Sequence, residues 1–168
     1  MKTEKLTRLA LLTALASVIF IVELQLPDLI PIAGVKAGLA NIITVFVLYK
    51  YKWQDAVLVT LARIIIGTIF GGNISAVIYS LSGAALALSA MLLLKKIISQ
   101  KHLWLCSTVG GIFHNIGQTA AAIIVTGTFA VAAYLPPLIC CGCISGAFTG
   151  LCAQLAINRK IGKFRVKL

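Results

Sequence analysis

Acidic residues are scarce in this chain. Only Glu4, Glu23, Asp28 and Asp55 occur among 168 residues. Four carboxylates leave little to hold magnesium, and no aspartate cluster of the kind that binds a prenyl diphosphate through metal is present. There is also no P-loop, and no Ser/His/Asp set with a usable carboxylate. With two histidines, His102 and His114, and cysteines placed on a different segment from His114, a metal site is not expected. Charge of either sign is sparse at 11%, well below the usual quarter of a soluble domain. With 60% hydrophobic residues and a mean hydropathy of +1.04, the chain has too little polar surface to cover a water-soluble core.

What is abundant is apolar run and basic punctuation. A net charge of +11 would raise nucleic acid as a partner in a soluble protein. Here the basic residues stand at the chain ends and between apolar runs, which is a membrane-topology pattern, so nucleic-acid binding is not expected. The spacing predicts an all-α, polytopic membrane protein of one domain, 1–168, with six transmembrane helices at about 6–25, 36–49, 54–70, 74–94, 103–126 and 137–157. The second is short for a full span. Pro27 and Pro31 end the first, and Trp53 with Tyr51 fits an interfacial aromatic belt. Thirteen of the fifteen Lys and Arg residues fall in the leader, in the loops after spans two and four, and in the tail. Both termini are therefore expected in the cytoplasm, with the protein in the cell membrane. No cleavable signal peptide is expected, because charged and proline-rich sequence follows the first run.

The two remaining basic residues are Lys36 and Arg63. An arginine inside the run RIIIGTIFGG must face the protein interior or a watery cavity, since charge at membrane depth is costly. Placed by depth, Glu23, Lys36, Asn41, Asn73, Tyr79, His114, Asn115 and Gln118 converge with Arg63 on the outer half of the bundle, above a plainer inner half. Two readings follow. One is a pocket open to the outside for a carboxylate or phosphate, with Arg63 and Lys36 meeting the negative group. The other is a Glu23–Arg63 ion pair that only ties helices together. Residues 114, 115 and 118 are expected on one helix face as a hydrogen-bonding surface. Small-residue spacings at Ala10/Ala14, Gly67/Gly71 and Gly142/Gly146/Gly150 are candidate helix contacts. The five cysteines lie in apolar runs and read as free buried thiols, the cluster at Cys140, Cys141 and Cys143 packing as small side chains.

The stretches KAGLANIITVF, ARIIIGTIFGG, YSLSGAALALSAM and GGIFHNIGQ resemble the Gx transporter family, also described as heptaprenyl diphosphate synthase component I. The resemblance covers nearly the whole chain. That family is similar to the substrate-binding S subunits of energy-coupling-factor transporters. It implies a six-helix bundle that captures a micronutrient or cofactor, flavin- or quinone-precursor-like, from the outside, with the connections after spans one and five as gates. It further implies partners, namely a transmembrane T subunit and cytoplasmic ATPases that spend the ATP, with no cofactor in this chain. Ala10-x-x-x-Ala14 matches the alanine motif by which S subunits dock on the T subunit. The family's second name implies an alternative, an auxiliary membrane component of polyprenyl diphosphate synthesis. Without aspartate motifs, no catalysis is expected from this chain itself.

Overall fold

The computed structural model describes residues 2–25, 38–71 and 75–159. They form six α-helices: α1 (Lys2–Gln25), α2 (Asn41–Lys50), α3 (Trp53–Gly71), α4 (Ser75–Leu94), α5 (Leu103–Thr126) and α6 (Leu135–Asn158). Short 3₁₀ turns at Gln100–His102 and Phe129–Tyr134 lead into α5 and α6. Among the described residues there is no strand. All but α2 contain a stretch long and apolar enough to cross a membrane. Their outer faces carry large apolar side chains, such as Ile69 at 72% and Ile144 at 73% exposed, with no polar face to set against water. This is the surface of a helix bundle solvated by lipid.

Three contacts bring the basic loops to one end of the bundle. Lys5 Nζ lies 2.7 Å from Asp55 Oδ2, joining the starts of α1 and α3. Lys95 Nζ donates to the Leu48 carbonyl at 2.6 Å, capping the end of α2 from the end of α4. Gln154 of α6 accepts from the Trp104 N–H at 3.3 Å and donates to the Lys101 carbonyl, serving the unpaired groups where α5 begins. The helix ends obey local chemistry. Asp55 Oδ2 accepts the Lys52 N–H ahead of α3. Gly127, in the left-handed region at φ 64°, closes α5. Prolines in the first turn open α6, where missing N–H groups cost nothing.

The second helix departs from expectation. It starts at Asn41 rather than at residue 36, because Gly38 takes φ 67° and residues 38–40 form a turn. At 10 residues it is about 15 Å long, half a span. It stands because it is surrounded: Ile43, Thr44, Val45, Val47, Leu48 and Tyr49 are all buried, against α1, α3 and α6. A turn at membrane depth is tolerated where protein rather than lipid covers it, and Ala40 has no exposed surface. Among the described residues the bundle thus has five long apolar helices and one shorter apolar helix, the second, as its short run leads one to expect. Helix α6 also begins two residues earlier than expected.

Close packing is concentrated in α4, α5 and α6. A Cβ added at Gly146 would lie 2.7 Å from the Ser107 carbonyl oxygen, and one at Gly150 2.7 Å from Trp104 Cα, so α5 and α6 touch backbone to backbone. Gly117 meets the backbone of Ser82 and Gly83 in the same way. The expected Gly142/Gly146/Gly150 seam is therefore a real contact, and Gly67 receives the Phe20 ring of α1. Among the described residues Ala10 and Ala14 make no such seam, since both are exposed on α1. The cysteines are free, but only Cys106 is buried. Cys140 is exposed, and Cys141, Cys143 and Cys152 are half-buried, because α6 is covered on one side only and turns them toward its uncovered flank.

Candidate functional site

Helices α2 and α3 run antiparallel, and their polar residues meet in two rungs. Arg63 Nη2 donates to Asn41 Oδ1 at 3.1 Å, and one turn on, the Thr44 and Thr60 hydroxyls pair at 3.3 Å. Advancing three residues on α2 and retreating three on α3 gives the same register. Arg63 stands ten residues after Trp53 and eight before Gly71, near the middle of its helix. It is 7% exposed, and its Nε has no partner. Its guanidinium lies 5.7 Å from the centre of the Phe20 ring, a favourable cation–π distance.

No ion pair joins Arg63 to Glu23. Among the described residues the salt bridges are Lys5–Asp55 and Arg8–Glu4, both at the basic end. Glu23, 5% exposed, accepts the Gly38 N–H on one oxygen and leaves the other unpartnered. Its carboxylate acts on Arg63 through space without contact. The tie-only reading of these two charges therefore fails: Glu23 secures the turn that opens α2, and Arg63 is left with free donors.

Arg63 lines a cavity of about 40 Å³. On the measure that one water needs roughly 10–15 Å³, this is room for about three waters, or for one small polar group of a ligand. Arg63, Asn41 and His114 line it, with Thr44, Thr60, Ser107, Ser145 and Thr149 continuing toward the basic end. Ser107 and Thr149 hydroxyls pair at 3.2 Å across α5 and α6. The inner half is thus not plain. Its hydroxyls are single residues in apolar runs, a weak sequence signal, yet Asn41/Thr44 and Thr60/Arg63 are each spaced i, i+3, which is a one-face signal.

Of the other expected site residues, His114 alone lines this cavity among those described. His114 and Gln118 both pack over Gly83 of α4, where an added Cβ would lie 2.9 Å from each side chain. Asn115, one position on, donates to the Leu138 carbonyl of α6. The three residues do not share a face: 100° per residue turns Asn115 from α4 to α6, where its amide ties helices. Gln118 and half-buried Tyr79 do not line the cavity. Lys36 and Asn73 lie outside the described residues. Among the described residues no three His, Cys, Asp or Glu side chains gather as a metal site.

The fold and the cavity define an integral-membrane helix bundle with a buried cation, out of contact with any described carboxylate, near the middle of α3. The match to a protein-family model narrows this: residues 12–156 match the model described as heptaprenyl diphosphate synthase component I, and the chain belongs to that family, the Gx transporter family. No curated protein and no solved structure matches it.

Proposed function

We propose that this protein is the membrane substrate-binding subunit of an energy-coupling-factor-type transporter, taking a small anionic or amphiphilic micronutrient or cofactor precursor from the outer side. The observation that carries the reading is Arg63: a buried guanidinium with no carboxylate in contact, opening on a cavity beside Asn41 and His114. An unoccupied charge at the centre of a span costs about 3 kcal/mol even by insertion scales, so a bundle that keeps one is built around what it will meet. The cavity accommodates the polar head of such a ligand. On this reading Arg63 binds the anion, Asn41 and His114 fix its direction, and Glu23 holds the turn at the mouth. Tyr79 and Gln118 contact the rest of the molecule, and Asn115 sets the α5–α6 spacing behind them. The chain performs no catalysis. A T subunit seats on the exposed Ala10/Ala14 face of α1, paired cytoplasmic ATPases supply the energy, and both termini lie in the cytoplasm of the cell membrane.

Thermal-shift screening of the detergent-purified chain against flavins, quinone precursors, thiamine-like compounds and prenyl phosphates tests this. A ligand should raise Tm by mass action, and Arg63→Ala should abolish the shift. A full panel without an Arg63-dependent shift, together with failure to co-purify with a T subunit, would sink the proposal.

The family description favours a second reading, an auxiliary membrane component of heptaprenyl diphosphate synthesis. It requires that a soluble synthase partner work poorly without this chain. Full activity of that partner alone would dismiss it.

A further inference from the structure

We infer that the head group this cavity selects is a single carboxylate, and that Glu23 is the residue that turns away phosphate esters and diphosphates. The inference rests on the pocket reading above and adds the chemical class of the ligand. Arg63 is the one permanently charged side chain among the described residues lining the cavity. The Glu23 carboxylate, buried behind Gly38, which itself lines the cavity, already offsets that charge through space. Counting the described charges, Arg63 and Glu23, a monoanion entering against Arg63 leaves one net negative charge. A phosphate monoester, with a second pKa near 6, brings nearly two charges at neutral pH, and a diphosphate brings more. Val45, Ala84, Ala87, Leu88 and Met91 form much of the wall, so among the described residues no second cation stands beside the excess charge.

The supply of donors points the same way. A carboxylate is satisfied by one guanidinium, and Arg63 is the cationic donor among the described residues that line the cavity. A phosphate needs donors around three oxygens. Four of the five hydroxyls that line the cavity are turned on each other, Thr44 with Thr60 and Ser107 with Thr149, the latter also donating to the Gly146 carbonyl, and the fifth, Ser145, donates to the Gly142 carbonyl.

The test uses matched probes on the detergent-purified full chain at pH 7.5. Thermal-shift titration compares 2-naphthoate with 2-naphthyl phosphate, and farnesoate with farnesyl diphosphate. Each carboxylate should bind at least tenfold tighter than its phosphate counterpart, and Arg63→Ala should lose it, with Arg63→Lys retaining part. Glu23→Gln keeps an oxygen for the Gly38 N–H but removes the charge, and should improve phosphate binding at least tenfold. Melting temperatures without ligand establish that each variant is folded. Phosphates or diphosphates binding as tightly as carboxylates, in an Arg63-dependent way, would overturn the carboxylate assignment and leave the pocket standing. An unchanged carboxylate-to-phosphate ratio in Glu23→Gln would overturn the role of Glu23. If no probe gives an Arg63-dependent shift, the pocket reading itself falls and takes this inference with it.

Discussion

Two halves of the bundle are built on opposite principles. In α4, α5 and α6, glycines let backbones touch, and the interior is small side chains with a few mutually bonded hydroxyls. In α1, α2 and α3, one helix is cut to half length, a glycine turn sits inside the bundle, and two opposite charges are buried without meeting. The first half is a scaffold, because close contact in lipid depends on packing and tolerates no added volume. The second half keeps Arg63 and Glu23 out of contact with each other, which lowers its own stability and leaves it something to gain from a ligand. The cavity lies on the seam, with the arginine on one side and the glycine wall on the other.

The sharpest way to break this contrast is Gly146→Leu. Its side chain would start 2.7 Å from the Ser107 carbonyl, with backbone behind it. We expect a loss of more than about 3 kcal/mol, seen as failure to accumulate or a collapsed Tm in detergent. A tolerated leucine would mean that the α5–α6 seam is loose. Next comes Arg63→Ala, with the opposite signature. Ligand binding should weaken by about 2–5 kcal/mol, while the ligand-free Tm holds or rises, because an unpaired buried charge has been removed. A large drop in ligand-free Tm would instead make Arg63 a structural tie.

Smaller effects test what holds the half-helix. Lys95→Met removes the donor to the Leu48 carbonyl and the ammonium 5.4 Å from the Tyr49 ring. It should lower stability by about 1–2 kcal/mol, measured by thermal unfolding, with head-group selectivity unchanged. Thr60→Val, which breaks one rung of the α2–α3 ladder, should cost about 0.5–1 kcal/mol. Thr44→Val should cost the same, and the double variant no more than either alone, since both remove one bond.

The long helices were legible for a plain reason. A run of about 20 apolar residues bounded by lysines has few other fates, and the Leu103–Thr126 helix was expected to the residue. Arg63, Asn41 and His114 were legible because polar groups in such runs must turn inward. The separation of Asn115 from His114 was not, because a face on a helix is defined by which neighbours cover it. The Thr44–Thr60 and Ser107–Thr149 pairs escaped because each hydroxyl alone is cheap in a helix, where it bonds its own backbone; only the register of two helices makes a pair.

By itself, the amino-acid order determined that this chain lives in lipid, that it is all helix, and that an arginine is carried into the interior. Those properties follow from hydropathy and charge along the chain, which each segment expresses alone. Tertiary structure decided the rest: that α2 starts only at Asn41, opposite the guanidinium, and that Glu23 bonds the Gly38 N–H instead of the arginine. Both depend on which partner is nearest once helices pack, and no single segment contains that distance.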